Sequence, residues 1–416
     1  VRYAVPLPLS IVNNYSSTRV ILSDDVMARI EEISVKNYRV LQNITLKDIK
    51  PFSVFLGPNG SGKTTFFDVI GFLSDCLTTN VRKALEKRGR FQEVISRDCE
   101  NQEIEIVIKY REAKDSPKIT YTVAIAVQNG APIVSREALK WKRGSHGKPF
   151  DFLKFENGKG EVISGENPEI NDSRIPYQMD DPSSLAIKTI GQLSDNPRIA
   201  SLRRFIEGWF LSYFIPDQAR QLATSGAMEH LSREGDNIAN VVQYLADEHQ
   251  ETLSKILKLL ASRVPQLEKV ESEPTIDGRL ALLFKDAPFT KPFLARFSSD
   301  GTLKLLAYLI LLNDPNPPQL LCIEEPENGL HHKLLDSLSE ELKAYSQRAQ
   351  VFVSTHSPFF VNTIKDAKQL WIFQRDDNGY ATVTRADQIP NAKHFIESEA
   401  GLGDLWSEGY LRGLPY

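Results

Sequence analysis

From Ile30 the chain alternates apolar and polar positions through IEEISV and again through NITL. This period-two pattern predicts strands. A third apolar run, FSVFL at 52–56, enters a glycine-rich loop, and beyond it TTFFDVIGFLSDCL spaces its apolar residues as a helix does. The order is therefore strand, loop, helix. Further alternating segments, EIEIVIKY at 103–110 and YTVAIAV at 121–127, with shorter runs near 133 and 162, predict an antiparallel lobe. Residues 165–184, rich in Asn, Asp, Pro and Ser and without period, predict an exposed loop. Helical spacing dominates from about 184 to 262. The segment NIANVVQYLADEHQETLSKILKLLASRV, entered after Asp236 as a candidate N-cap, is long enough for one or two helices and too short for a DNA-tethering coiled-coil arm. The last third alternates again: a helix from Thr302, strand LLCI, a helix after Gly329, strand VFVS, then WIF and TVT. Such alternation implies a largely parallel, helix-covered sheet.

These patterns divide the chain into four parts. Residues 1–26 read as an upstream extension, with Met27 as a candidate start. Residues 27–164 hold the first half of a core with the glycine loop and antiparallel lobe. Residues 165–295 read as an inserted, mostly helical subdomain, and 296–416 as the second half of the core. The length of 416 residues suits one α/β core carrying a large insertion, and 41% hydrophobic with 25% charged residues is a globular balance.

A formal net charge of −4 gives no global field that would draw the chain onto nucleic acid. Two stretches are locally basic: Arg82, Lys83, Lys87, Arg88, Arg90 and Arg97, and then Lys140, Lys142, Arg143 and Lys148 around Trp141. Each reads first as a solvated helix or loop face, and direct DNA contact stays open. Cys76, Cys99 and Cys322, odd in number and widely spaced, argue against a disulfide framework and a zinc site and fit a reducing cytoplasm. The longest apolar run, Leu303–Leu312, is about half of a bilayer crossing, so no membrane span or secretion signal is expected.

The chemistry concentrates in two places. GPNGSGKT at 57–64 fits the phosphate-loop pattern between a strand and a helix, as its mechanism requires. Gly57, Gly60 and Gly62, with Pro58, Asn59 and Ser61 between them, would turn backbone amides toward ATP phosphates. Lys63 would reach the β and γ oxygens, Thr64 would offer its hydroxyl to Mg²⁺, and Thr65 follows. LLCIEEPENGLHH at 320–332 brings Glu324 and Glu325 to the end of a buried strand. Glu324 is expected to hold the magnesium shell and Glu325 to orient or deprotonate the attacking water. The plainer alternative is an acidic first turn of the next helix.

With EEPENGLH, ISVKNYRVLQNITL, SSDGT and VFVSTHSP in view, the chain resembles ABC-type ATPases of the SMC and RecF branch and their bacterial stand-alone predicted AAA-family relatives. The resemblance covers roughly residues 28–76 and 296–363. It implies an ABC-type P-loop fold: a mixed or parallel helix-covered sheet, an antiparallel β lobe and an inserted helical subdomain. It makes Arg39 a candidate nucleotide contact. SSDGT is similar to the family's signature, so Ser299 and Gly301 would reach the γ-phosphate held by an opposite subunit. Asp300 and Thr302 depart from the transporter glycine and glutamine, and a simple helix cap by Ser298 or Ser299 is the alternative. His356 takes the place of the switch histidine. His331 and His332 read as interface or helix-start residues. Gln92 is the nearest candidate for the magnesium-coupling glutamine, or else a surface residue.

The same resemblance implies a homodimer formed around two Mg-ATP, slow hydrolysis and a conformational cycle. It further implies a DNA-related or anti-phage defence role with a separately encoded effector. A transporter energy subunit and a non-catalytic nucleotide-dependent scaffold are the alternatives; a shorter chain and a fuller signature would mark the former. An appended nuclease of the OLD type is not expected, since 60 residues follow His356. The closing GLGDLWSEGYLRG resembles the tail of the stand-alone relatives.

Overall fold

A computed structural model describes residues 27–141, 149–165, 173–389 and 401–412. The expected extension at 1–26, Lys142, Arg143 and Lys148 of the second basic stretch, and 166–172 of the expected loop lie outside the described residues.

Strands β1 (Arg29–Tyr38) and β2 (Leu41–Lys47) form an antiparallel hairpin in which Tyr38 faces Leu41. Strand β3 (Phe52–Leu56) then enters the glycine loop, and α1 (Lys63–Thr78) leaves it, followed by the short helices α2 (Val81–Glu86) and α3 (Phe91–Val94). Next come β4 (Ile104–Arg111), β5 (Ile119–Gln128), β6 (Ala131–Trp141), β7 (Phe150–Glu156), β8 (Lys159–Val162) and β9 (Ile175–Gln178). With the first hairpin they make an eight-stranded antiparallel sheet, ordered β2-β1-β4-β5-β6-β7-β8-β9. Its alternation is visible in β4, where Ile104, Ile106, Ile108 and Tyr110 are buried and the residues between them are half-exposed. The buried face shares one core with Phe66, Phe67, Ile70, Phe72 and Cys76 of α1, so the lobe rests on the helix that follows the glycine loop.

The middle of the chain holds α4 (Ala186–Ile190), α5 (Pro197–Glu207), β10 (Trp209–Ser212), α6 (Pro216–Ala219), β11 (Ala223–Thr224), α7 (Ile238–Glu248), α8 (Gln250–Ala261), β12 (Leu267–Pro274), β13 (Arg279–Asp286) and β14 (Phe293–Leu294). The expected helices are present, and the segment beginning at Asn237 forms two of them. The insertion expected to be mostly helical also carries strands. Strand β10 pairs in parallel with a strand of the central sheet, and β12 and β13 pair antiparallel, with β11 and β14 beside β13. Short apolar runs such as WFLS fit helix and strand alike, and only their partners decide between the two. Likewise, within the expected loop, Ile175–Gln178 pairs with β8 as an edge strand while staying largely exposed.

The last third supplies α9 (Asp300–Leu312), β15 (Leu320–Glu324), α10 (Lys333–Tyr345), β16 (Gln350–Thr355), α11 (Pro358–Asn362), β17 (Leu370–Arg375), β18 (Ala381–Arg385) and α12 (Leu402–Ser407). The central sheet runs β10-β15-β16-β3-β17-β18, parallel except for β18. All of β3 is buried. Phe55 packs into the core shared with α1 and the lobe, whereas Phe52, Val54 and Leu56 pack into a second core with α9 and α10. Alternating strand geometry thus gives one strand to two cores.

Between lobe and middle segment lies a fully buried acid. Glu137 on β6 accepts bonds from Tyr121 Oη (2.9 Å) and from the amides of Ala186 (2.5 Å) and Ile187 (3.0 Å), the first residues of α4. Burial pushes its carboxyl up to about 7, against the opposing pull of these donors. Because the folded value lies above the ordinary 4.5, the folded protein holds a proton that the unfolded chain has released. The resulting stabilisation is complete below that ordinary value and is lost as pH rises through about 7. Urea titrations of the wild type between pH 5 and 8 are expected to show a falling midpoint, and Glu137→Gln to flatten that slope.

Candidate nucleotide site

The parallel order β15-β16-β3 places the carboxyl ends of three strands along one edge, the usual location of a ligand crevice in such sheets. In register, Leu56 faces Thr355, and Ser354 faces Glu324. The glycine loop, the acid pair and His356 are therefore delivered side by side.

Close packing explains the loop's first glycine. A Cβ on Gly57 would lie 2.4 Å from the Phe373 carbonyl oxygen and 2.6 Å from Ser61 Oγ. Gly60 and Gly62 take φ of 76° and 110°, the left-handed region that favours glycine. Gly62 stands at the N-cap of α1, where no side chain caps the helix, and the first amides and the positive end of the helix dipole suit an anion. Pro58 and Asn59 are exposed, Ser61 is buried with an unpartnered hydroxyl, and Thr65 is half-buried. Lys63 is buried; its Nζ donates to the carbonyls of Gly57 (2.7 Å) and Pro58 (3.1 Å). Burial lowers its pKa, partly countered by the charges of Glu325, Glu327 and Glu324.

Thr64 Oγ1 donates to Glu324 Oε2 at 2.8 Å. Burial raises the pKa of Glu324, the Thr64 bond opposes that rise, and the neighbouring charge of Glu325 adds to it. Its other oxygen, Oε1, is buried without a hydrogen-bond partner. A threonine hydroxyl beside a carboxylate with an orphaned oxygen fits a hard divalent cation such as Mg²⁺, which prefers oxygen donors. Gln92 does not join this group: it is exposed on α3, and among the described residues no hydrogen bond ties it to Thr64 or Glu324.

Glu325 occupies the left-handed region, with φ of 44°, unusual for a residue with a side chain. Its amide donates to Ser354 O (2.9 Å), and its carboxylate accepts from Asn328 Nδ2 (2.7 Å) and lies 3.4 Å from His356 Nδ1. The buried Glu327 holds the histidine loop, accepting from Thr355 Oγ1 (2.6 Å) and the His356 amide (3.1 Å). On the other side, Lys304 of α9 donates to the Glu325 and Asn328 carbonyls (3.0 and 2.9 Å), and burial pushes its pKa down to about 8.

Ser299 caps α9, its Oγ accepting from the Thr302 amide at 3.1 Å, as the plainer alternative for this serine required. It nonetheless remains exposed. A Cβ on Gly301 would lie 2.5 Å from the Gly329 carbonyl, so this turn sits directly on the loop behind the acid pair. Asp300 pairs with Arg220, which also bonds the Ser298 carbonyl (3.0 Å). A cleft of about 410 Å³ joins these parts, lined among others by Thr64, Tyr213, Asp300, Lys304, Glu324 and Glu325.

Arg39, with φ of 50°, lies 3.1 Å from Asp68 Oδ2 on α1, four residues beyond Thr64. Tyr38 Oη (2.8 Å) and Arg88 Nε (2.7 Å) also bond Asp68, and Arg88 and Lys87 pair with Asp75. Two charges of the first basic stretch are thus held in ion pairs. Lys140 of the second pairs with Asp151. His332 is the N-cap residue of α10, its ring 4.3 Å from that of His331, and among the described residues no cluster of three metal-ligating side chains occurs.

Sequence reasoning missed Glu327, Lys304, Tyr213, Arg220 and Arg375, whose Nε donates to Gly60 O at 2.6 Å. Two had a readable signal. Glu327 stands two positions past the acid pair, and Lys304 is the sole charge between Thr302 and Leu312. Tyr213 reaches the cleft only because β10 joins the sheet.

A phosphate loop opposite a strand-end acid pair, on a mixed sheet with an antiparallel lobe, defines an ATPase fold of the P-loop class in its SMC-head form. The chain belongs to the family described as "AAA domain, putative AbiEii toxin, Type IV TA system", which it matches over residues 52–362. Its fold is similar to a crystal structure of an SMC head bound to the C-terminal winged-helix domain of ScpA, with a TM-score of 0.54 at 14% identity, covering 85% of this chain and 97% of the other. The SMC head of Thermotoga maritima (TM-score 0.44, 14% identity, coverage 86% and 98%) and that of Pyrococcus furiosus with an extended coiled coil, bound to the C-terminal domain of ScpA (0.48, 14%, 89% and 99%), are looser matches. Among proteins of curated function, none matches the sequence. Among the described residues no helix is long and apolar enough to cross a membrane.

Gly57→Ala is expected to weaken ATP binding by at least roughly tenfold, about 1.4 kcal/mol, because the new Cβ can be housed only by moving the loop. Calorimetric titration of the folded variant checks this.

Proposed function

We propose that this chain hydrolyses ATP and uses the cycle as a switch, pairing head to tail with a second copy. The observation that carries this reading is the Thr64–Glu324 bond at 2.8 Å, with Glu325 and His356 on the adjacent strand ends. Phosphate-binding groups and water-activating groups thereby meet at one edge.

In this reading the 57–64 loop and the α1 amides hold the triphosphate, Lys63 leaves the loop carbonyls for the β and γ oxygens, and Arg39 contacts the nucleotide from beside α1. Thr64 and Glu324 would hold Mg²⁺, which supplies neutralisation of phosphate charge. Glu325 orients the attacking water and takes its proton as the water oxygen bonds to the γ-phosphorus and the bond to ADP breaks. His356, kept in place by Glu327, faces the same γ-phosphate and water. The exposed Ser299 and Gly301 complete the site of the second copy with a hydroxyl, amides and a helix N-terminus. Binding then favours the closed pair because these contacts exist only there.

The wider role follows from likeness. The family description names a putative toxin of a type IV toxin–antitoxin system, and a similar SMC head is bound to a domain of ScpA, so we assign this switch a separately encoded partner in a DNA-related or anti-phage defence process. Direct DNA contact is the weaker arm, since Arg88 and Lys87 are committed to Asp68 and Asp75. The three cysteines are buried and unpaired, which suits the cytoplasm.

Glu325→Gln keeps the size of the side chain and removes the base. Hydrolysis is expected to fall by about 10² or more, while light scattering with ATP shows a persistent dimer that ADP does not support. Normal turnover by this variant removes Glu325 from the chemistry.

A further inference from the structure

The signature helix touches the catalytic turn at two points. Gly301 sits against the Gly329 carbonyl so closely that a Cβ would approach it to 2.5 Å. One turn on, Lys304, 6% exposed, donates to the carbonyls of both Glu325 and Asn328. Those two residues are the ends of a closed turn, since the Asn328 amide donates back to Glu325 O at 3.1 Å and its side chain bonds the Glu325 carboxylate. The turn carries a non-glycine residue at φ of 44°, a conformation that persists only where surrounding bonds hold it. On its other flank it is held by the Glu325 amide bond to Ser354 O. An ammonium in the otherwise apolar stretch Leu303–Leu312 is costly to bury, and packing alone would be served better by leucine. Its direction, into the backbone that aims Glu325, gives it a task.

We propose that Lys304 is a positioning residue that ties the Glu325 backbone to α9, so that seating Ser299 and Gly301 on the nucleotide of a second copy sets the aim of the catalytic carboxylate in its own protomer. The link rests on the head-to-tail reading given above. Ser299 caps α9 and is exposed, and Lys304 lies in its second turn, inside. A displacement at the first is carried to the second without any intervening loop. The device passes the presence of one nucleotide to the hydrolysis of the other.

The test compares full-length wild type, Lys304→Met, Lys304→Arg, Ser299→Ala and the Ser299→Ala/Lys304→Met double variant in steady-state ATP hydrolysis, with thermal unfolding and ATP-dependent light scattering on each. Lys304→Met is expected to lose roughly 10- to 100-fold in kcat, with KM and ATP-driven pairing retained, and Lys304→Arg, which keeps the donors, to recover most of the loss. The double variant is expected to be no slower than the slower single variant, because both act through one helix. An unchanged kcat in Lys304→Met overturns the proposal. So does a loss that follows the unfolded fraction without rescue by arginine, or a double variant in which the two losses multiply. A wild type that turns over ATP while staying monomeric instead overturns the head-to-tail reading, and the link from Ser299 with it.

Discussion

One hydrogen bond, from the first-turn hydroxyl of α1 to the acid ending β15, joins positions 260 residues apart. Everything else in the site depends on the strand register that permits it. Strand β16 lies between β3 and β15, and each of its last two residues faces the last residue of a neighbour. A slip of one residue would turn Glu324 to the other face of the sheet and away from Thr64. The apolar side chains of β15 oppose such a slip, since Leu320 and Cys322 pack into one core and Leu321 and Ile323 into the other. Hydrophobic packing on two faces thus fixes a polar contact at the edge. The acid itself gains little from its position, for burial raises its pKa and leaves one oxygen without a partner.

Backbone shape carries as much of the site as side-chain chemistry. Arg39, Gly60, Gly62, Glu325 and Gly329 all have positive φ, and all lie in the turns and loops that border the cleft or α1. Glycine adopts this region without penalty, whereas an L side chain there costs about 1–2 kcal/mol. For Glu325 that cost is offset by bonds from three directions, to Ser354, Asn328 and Lys304. The acid pair is thereby split: Glu324 still belongs to the strand and faces Thr64, while Glu325 has left it and faces His356. Adjacent residues acquire different neighbours because the chain turns sharply between them.

What could be read from the sequence was local. The strand–loop–helix around GPNGSGKT, the acids after LLCI, the serine before α9 and the histidine after VFVS each depend on a few neighbouring residues and a period, and each stands where those signals place it. What could not be read depended on distant partners. WFLS is a central-sheet strand only because β15 presents a free edge, and RLALLFKD is a strand only because LEKVESEP pairs with it. Tyr213 reaches the cleft as a consequence of the first pairing, and Arg220 follows it to hold Asp300 at the cleft's rim. Glu327 and Lys304 lay in plain view as charges inside apolar or motif contexts, and their partners are backbone groups that no side-chain pattern announces. For Gln92 the resemblance suggested a role, and α3 turns it to solvent.

The placement of β3 has a consequence for how the chain is made. This strand is complete by residue 56, yet both of its neighbours, β16 and β17, begin at residue 350 or later. During synthesis its two edges and its four apolar side chains wait while nearly 300 residues emerge, most of the antiparallel lobe among them. Long loop closure of this kind slows folding, and an unpaired apolar strand is exposed to wrong partners for the duration. The nascent protein therefore has reason to need a chaperone until its C-terminal third leaves the ribosome, and its phosphate loop has no stable shape before then.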